Sequence, residues 1–120
     1  MLNLREGISV YVSLEPTDMR KAINGLVLCV TQELKRPVQS GDLFVFVNRF
    51  KDRVKILYWD RNGFVLYHKR LERHKFCLPK LEDVTGDVLM LTQNQLLGLL
   101  AGLDVMVVRQ FSEICYDEFV

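Results

Sequence analysis

Three short apolar runs constrain the fold more than any other part of this sequence. Leu43–Val47, Val54–Trp59 and Phe64–Lys69 are rich in β-branched and aromatic residues and are bounded by turn residues, which predicts three strands. The segment Asp60–Gly63 joins the last two runs. Because its Asn-Gly pair accepts positive φ, it predicts a tight antiparallel hairpin. Residues 48–53 predict a longer, charged hairpin loop between the first two runs.

The two sides of the central run differ in character. The two-residue period of a strand places Val54, Ile56 and Tyr58 on one side, which we expect to face the core. Lys55 lies on the other side beside large apolar residues. That second side is therefore either partly covered by the fold or meets another molecule.

The chain before these runs predicts one strand and one long helix. Residues 8–14 alternate between apolar and polar, which indicates a half-buried strand. Pro16 ends it, Thr17 can cap a helix, and Asp18 suits the positive end of a helix dipole. An apolar stripe at helical spacing predicts a helix from Asp18 to about Arg36, with Gly25 allowing close packing of helix on strand.

The chain after the three runs predicts shorter elements. Residues 76–78 suggest a short strand, 80–87 a loop and 88–91 an edge strand. Thr92 followed by Gln95 is a capping box, which predicts a short helix over 92–101. Residues 105–108 fit a strand or a helix, and we expect the acidic tail from about 109 to be frayed.

Length and composition fit one globular domain. The chain has 120 residues, of which 49% are hydrophobic and 26% are charged, typical of a globular protein. The sequence contains neither a secretion signal nor a membrane-spanning run, so we expect a cytoplasmic protein. Together the predicted elements give an α+β domain over residues 1–120. It has an antiparallel sheet of about five or six strands, one long helix on a face and a short C-terminal helix.

Positive charge is concentrated in one part of the chain. Residues 49–75 contain nine lysines or arginines and only three acidic residues, whereas the whole chain has a net charge of +1. Residues 76–120 carry a net negative charge, with seven acidic and two basic residues. A basic segment of this kind favours a polyanionic partner.

The spacing of the basic residues favours nucleic acid as that partner. Arg49, Lys51, Arg53 and Lys55 alternate along the chain, so on an extended ribbon they project from one side, where they can contact phosphates. Further candidate phosphate contacts are Arg20, Lys21, Arg70 and Arg73. Exposed aromatic rings among Phe50, Tyr58, Trp59 and Tyr67 could stack on bases. The alternative is an ordinary sheet surface, on which cations deter edge pairing and the aromatic residues belong to the core.

The sequence favours a protein without catalytic activity. DNA strand transfer needs carboxylates that hold two metal ions, but Asp52 and Asp60 lie in turns, where aspartate usually bonds to the backbone. A glycine-rich phosphate-binding loop is absent. The three cysteines are widely separated and do not have the spacing of zinc ligands. We therefore expect neither a cofactor nor a bound metal.

Several ordered blocks resemble a known family. The chain resembles, over about residues 8–104, the TnpB accessory protein of the insertion-sequence-sixty-six family of bacterial transposable elements. The matching blocks are Thr17-Asp18-Met19-Arg20-Lys21, Asn24-Gly25-Leu26, Gly41-x-Leu43-Phe44-Val45-Phe46, Asp52-Arg53-x-Lys55-Ile56-Leu57-x-Trp59-Asp60, Gly63-Phe64, Lys69-Arg70-Leu71-Glu72 and Leu91-Thr92-x-x-Gln95-Leu96. Phe50 departs from the family pattern, because it lies in a loop that is frequently more basic.

The resemblance implies a small accessory protein, encoded beside a separate transposase and needed for movement of the element. We therefore expect it to bind DNA, the transposase of the same element, or both, through the basic hairpin. One alternative is a protein adaptor or homo-oligomeric scaffold without nucleic-acid contact, which the separation of basic and acidic segments would also suit. A second, less favoured alternative is a metal-dependent nuclease.

Overall fold

The strand-like runs form a mixed sheet with the charged hairpin at one end of its strand order. The structure is a computed structural model and describes residues 4–78 and 88–102. Within these residues the sheet has five strands in the order β4-β3-β2-β1-β5. Their bounds are β1 Val10–Ser13, β2 Leu43–Val47, β3 Arg53–Asp60, β4 Gly63–Arg70 and β5 Val88–Leu91. Strand β1 pairs parallel with β2, and the other neighbours pair antiparallel.

The tight hairpin between β3 and β4 is confirmed, with Asp60 paired to Gly63. The prediction of positive φ at the Asn-Gly pair was wrong, because Arg61 has it, at 55°. Arg61 is the first of the two loop residues. Turns of this length can place their left-handed residue there, which leaves Gly63 free to begin the next strand.

A helical segment connects β1 to β2, but it is shorter than predicted. Helix α1 spans Ile23–Leu28 and continues as a π-helical turn over Cys29–Glu33. Its N-cap residue is Ala22, which makes no side-chain cap, so the prediction of a helix starting at Asp18 was wrong.

The late helix start has a cause outside the helix. In a longer helix the carbonyls of Met19 and Lys21 would accept hydrogen bonds from amides four residues later. Here both carbonyls accept from the Nζ of Lys55, at 2.8 and 2.7 Å. Asp18 meanwhile accepts from the backbone N–H of Arg20 at 2.9 Å, which fixes a local turn and not a helix cap.

Both faces of the sheet are covered by a helix. Helix α2, Gln93–Leu100, packs on the face that carries Val54, Ile56 and Tyr58, so the prediction that this side faces the core is confirmed. The segment α1 packs on the opposite face, against Phe44, Phe46 and Leu57 among others. That side of β3 is therefore covered at its middle. The α+β class is confirmed.

Of the predictions for the C-terminal half, two are confirmed, one is wrong and the rest lie outside the described residues. The edge strand at 88–91 and the capping box are confirmed, since Thr92 Oγ1 accepts from the Gln95 N–H at 3.1 Å and Gln95 Oε1 accepts from the Thr92 N–H at 2.9 Å. Residues 76–78 are not a strand, because the Phe76 N–H donates to the Lys51 carbonyl at 2.7 Å outside any ladder. The predictions for 80–87, for 105–108 and for the tail from 109 lie outside the described residues.

The space beside Gly25 is occupied by a different group from the one predicted. A Cβ on Gly25 would lie 3.2 Å from the Cβ of Lys21, so a side chain of the preceding turn, and not a strand, takes up the space. The Nζ of Lys21 continues along the helix to the Sγ of Cys29, 3.4 Å away. Neither α1 nor α2, the α-helices of the described residues, is long and apolar enough to cross a membrane.

Candidate nucleic-acid interface

Basic side chains face one another across the open end of the β3–β4 hairpin. Arg53 pairs with Arg70 and Lys55 pairs with His68. Because residues paired across strands share a face and alternate residues of a strand do too, all four lie on the α1 side of the sheet. Like charges directly opposite one another destabilise a sheet. This end of the hairpin is thus a locally positive surface.

The pKa of His68 is affected by this surface. Partial burial lowers the pKa of His68 below its ordinary value, and the positive charges of Lys55, Arg53 and Arg70 lower it further. The histidine is therefore less readily protonated than in an unfolded chain. A bound anion would shift this pKa back upward.

A rigid turn before β3 places two further side chains next to these pairs. Asn48 Oδ1 accepts from the N–H groups of Asp52 and Arg53 at 3.1 and 3.0 Å, and Asn48 Nδ2 donates to Asp52 Oδ1 at 2.6 Å. Lys51 takes a left-handed conformation with φ of 59°, and its N–H donates to the Asn48 carbonyl at 3.1 Å. The chain cannot remain extended through this turn.

The same turn is fastened to the segment that follows β4. The Leu71 N–H donates to the Asp52 carbonyl and the Phe76 N–H donates to the Lys51 carbonyl, each at 2.7 Å. Phe76 is fully buried and anchors that segment in the core. The turn over residues 48–53 is therefore held from both sides, which fixes the backbone that presents the exposed side chains of Arg49, Phe50 and Lys51.

The segment that precedes α1 forms the opposite wall. The Thr17 N–H donates to the Val47 carbonyl at 2.9 Å. The Lys55 ammonium group donates to the carbonyls of Met19 and Lys21, which also belong to this segment. Arg20 and Asp18 make a forked ion pair, with Nη2 and Oδ2 2.6 Å apart. The side-chain hydrogen bond from Arg20 lowers the pKa of Asp18 to about 2, so this carboxylate stays ionised.

Between these walls lies a groove that we call the basic groove. Its larger part has a volume of about 480 Å³ and is lined by residues 17–20, 48–50, 52 and 53. Its smaller part, of about 350 Å³, is lined by Arg53, His68, Arg70 and Glu72. Because Arg53 lines both parts, they are neighbours, and together they extend from the segment before α1 to Arg53 and Arg70 of the hairpin.

Four of the eight predicted contact residues line the basic groove: Arg20, Arg49, Arg53 and Arg70. In residues 4–78 and 88–102 the ion pairs are Arg20 with Asp18 and Arg70 with Glu72. Both pairs are solvent-exposed, so each arginine can exchange its carboxylate for a phosphate at small cost. Lys51 is exposed on the turn. Arg49, Lys51 and Arg53 have no carboxylate partner among the described residues.

Three predicted contact residues lie elsewhere. Lys55 is only 8% exposed and its ammonium group donates to backbone carbonyls, so it does not line the groove with the other predicted contact residues. Lys21 lies along α1 toward Cys29. Arg73 is exposed in the connector after β4 and does not line the groove.

The four aromatic residues that were candidates for base stacking differ in their exposure. Tyr58 is buried, Tyr67 is half-buried, and Trp59 packs edge-on against Phe64 with ring centroids 4.9 Å apart. Phe50 is 70% exposed and lines the groove. Of these rings, Phe50 is thus the one placed to meet a ligand.

Sequence reasoning missed two residues of the site. His68 lies opposite Lys55, which the hairpin turn and the two-residue period would have shown if the register had been counted outward from Asp60 and Gly63. Asn48 fixes the turn, and its signal is an asparagine at the end of a strand followed by a charged loop.

Comparisons with known proteins agree on one family. A family model described as IS66 Orf2 like protein matches residues 8–110. Two relatives come from Sinorhizobium fredii (strain NBRC 101917 / NGR234), where they are named uncharacterized proteins y4jC and y4hO. The first is 36% identical, covering 87% of this chain and 86% of its own length. The second is 35% identical, covering 87% of this chain and 88% of its own length. No solved structure matches the chain.

Proposed function

Because this chain belongs to the IS66 Orf2-like family, whose model matches residues 8–110, we propose that it is a non-catalytic accessory protein of transposition that binds DNA through the basic groove. The family supports a role in the movement of an insertion sequence. The observation that supports DNA as the ligand is a set of cations that have no carboxylate partner within residues 4–78 and 88–102, namely Arg49, Lys51 and Arg53. They lie beside the Arg53–Arg70 and Lys55–His68 pairs.

Phosphate suits this arrangement for two reasons. A guanidinium group can form two parallel hydrogen bonds to one phosphate, which makes arginine a strong ligand for a nucleic-acid backbone. An anion between Arg53 and Arg70 would also relieve the repulsion between them. Binding would therefore be strongest where the hairpin brings the two arginines together.

The proposal is tested by the salt dependence of binding. Fluorescence anisotropy with labelled duplex DNA, carrying either the ends of the element or a scrambled sequence, gives the affinity at each salt concentration. The logarithm of the affinity should fall linearly with the logarithm of salt, with a slope of about −0.9 for each phosphate neutralised. The double variant R49A/R53A should bind more weakly and show a smaller slope.

A matched control is R5A. Arg5 is exposed, and its carbonyl contacts Gln93 of α2, on the opposite face of the sheet from the groove. Its loss removes the same charge without touching the site. Binding without a salt slope, or binding that R5A weakens as much as a single groove variant does, would contradict the proposal.

The transposase of the same element is the second proposed partner. Apolar side chains on the α1 side of the molecule favour a protein contact, since Leu28 and Met90 are more than half exposed. A pull-down from nuclease-treated lysate of cells that express the element tests it. Recovery of the transposase without nucleic acid supports an adaptor role, and recovery that depends on DNA leaves the groove as the link.

A further inference from the structure

We propose that Phe50 and the cations beside it form a subsite for an unpaired nucleotide, so that the basic groove prefers single-stranded or locally melted DNA to intact duplex. This inference rests on the proposed DNA-binding function and specifies the form of DNA that the groove takes. It is carried by three features of residues 48–53: the exposure of the ring, the rigidity of the turn and the charges around it.

The exposure of Phe50 is unusual for its residue type. Phenylalanine is among the residues most often buried, yet this ring is 70% exposed while other phenylalanines of the described chain, Phe44, Phe46 and Phe76, are fully buried. Its neighbours in sequence are Arg49 and Lys51, and the cavity that it lines also contains Arg20, Arg53 and the half-buried Met19. The ring thus lies in a surface that is mainly charged.

The backbone that presents the ring is fixed. The side chain of Asn48 bonds to three groups of the turn, and the carbonyls of Lys51 and Asp52 accept from the segment after β4. Lys51 holds a left-handed conformation that non-glycine residues adopt uncommonly. A ring held away from the core by such a turn loses little freedom on binding, which favours affinity for a ligand.

The chemistry around the ring matches one nucleotide. Phe50 offers an apolar face on which a base can stack, and Arg49 and Arg53 line the same cavity and can contact the flanking phosphates. Stacking tolerates any base because every base has a flat face. Among the residues that line this cavity, Phe50 is the one phenylalanine, tyrosine or tryptophan, which indicates a site for one base and not for a run of stacked bases.

The ring also distinguishes between forms of DNA. In an intact duplex both faces of each base are covered by neighbouring pairs, so a phenyl ring can reach a base face only where the strand is single, frayed or melted. Cations alone would not make this distinction, since they contact phosphates of either form. The preference for unpaired DNA should therefore depend on Phe50.

The experiment compares a labelled oligothymidylate with a duplex of the same length, using the full-length protein at one salt concentration. The wild type should favour the single strand. F50A should lose about tenfold in affinity for the single strand, which corresponds to about 1.4 kcal/mol of stacking, and should change little on duplex. L97A removes a half-exposed apolar side chain from α2, on the opposite face of the sheet, and should leave both affinities unchanged.

F50W provides a second readout. The natural chain contains one tryptophan, Trp59, which packs against Phe64. A tryptophan at position 50 should retain the single-strand preference, and its fluorescence should be quenched by oligothymidylate while the wild-type signal changes little. F50A should unfold at the same urea concentration as the wild type, because the ring contributes little to the core.

The outcomes are separable. If F50A weakens binding to both forms of DNA equally, the ring acts as a wedge in duplex and the unpaired-nucleotide subsite is wrong. If F50A binds both forms as the wild type does, the ring takes no part in DNA binding and the inference also fails, although the proposed function stands. If the wild type binds neither probe, the proposed function itself fails.

Discussion

Replacing Lys55 with methionine tests the central contact of this fold. Lys55 is only 8% exposed, and its Nζ donates to the carbonyls of Met19 and Lys21 at 2.8 and 2.7 Å. The partners lie 36 and 34 residues earlier in the chain, so this one side chain ties β3 to the segment before α1. Methionine keeps the length of the stem and removes the charge and all three donors.

The expected loss follows from those two hydrogen bonds. A hydrogen bond to a charged group contributes about 1.5–3 kcal/mol, so losing two gives a gross loss of about 3–6 kcal/mol. Part is recovered, because water can reach the carbonyl of the exposed Lys21 and the Lys55 ammonium group no longer has to be desolvated. We therefore expect K55M to lower the free energy of unfolding by about 2–4 kcal/mol.

Urea denaturation of three lysine variants measures this effect against matched controls. Lys69 donates to one backbone carbonyl, that of Leu100 at 2.8 Å, so K69M should lose about half as much as K55M. Lys51 is exposed on its turn, so K51M should stay within about 0.5 kcal/mol of the wild type. A loss for K55M no larger than that for K69M would refute the reasoning.

Three further predictions concern single groups. Because the pKa of His68 is lowered, the unfolded chain binds more protons, so stability should fall as pH drops through the ordinary histidine value of 6.5, and H68Q should reduce that fall in urea titrations at several pH values. D18N should release Arg20 from its ion pair and steepen the salt slope of DNA binding by about 0.9, measured by anisotropy. T92A removes the capping box of α2 and should lower the free energy of unfolding by about 1 kcal/mol, measured by urea denaturation.

Sequence reasoning succeeded where the deciding interactions are local. The hairpin between β3 and β4 follows from a turn of two residues, and the capping box of α2 depends on two residues three apart. The burial of Val54, Ile56 and Tyr58 follows from the period of a strand. In each case the determining groups lie within a few residues of the feature that they set.

The start of α1 could not be predicted in this way. The residues from Asp18 onward fit a helix, but the carbonyls that would extend it are bound by Lys55 on β3, far along the chain. Helix propensity is a weak preference that such a tertiary contact overrides. The position of β1, parallel to β2 and between it and β5, likewise depends on pairings between distant segments.

The arrangement of the candidate contact residues was predicted only in part, for a similar reason. The concentration of cations in residues 49–75 drew attention to the hairpin, but the alternation argument assumed an extended chain from Arg49 to Lys55. The turn fixed by Asn48 and the left-handed Lys51 breaks that alternation. Arg49 and Arg53 therefore reach the groove from different elements, and Lys55 enters the core.

The two cross-strand pairs of the hairpin link stability to binding. Arg53 and Arg70 face each other and repel, which destabilises the sheet, and Lys55 opposes the protonation of His68 across from it. The carbonyls of Met19 and Lys21 compensate the charge of Lys55, but Arg53 has no carboxylate partner among the described residues, and the partner of Arg70 is exposed. An anion in the basic groove would supply the missing negative charge, and because the unfolded chain lacks the groove, that anion would stabilise the folded state. The repulsion between Arg53 and Arg70 that weakens the hairpin is therefore the same interaction that would favour a phosphate backbone there.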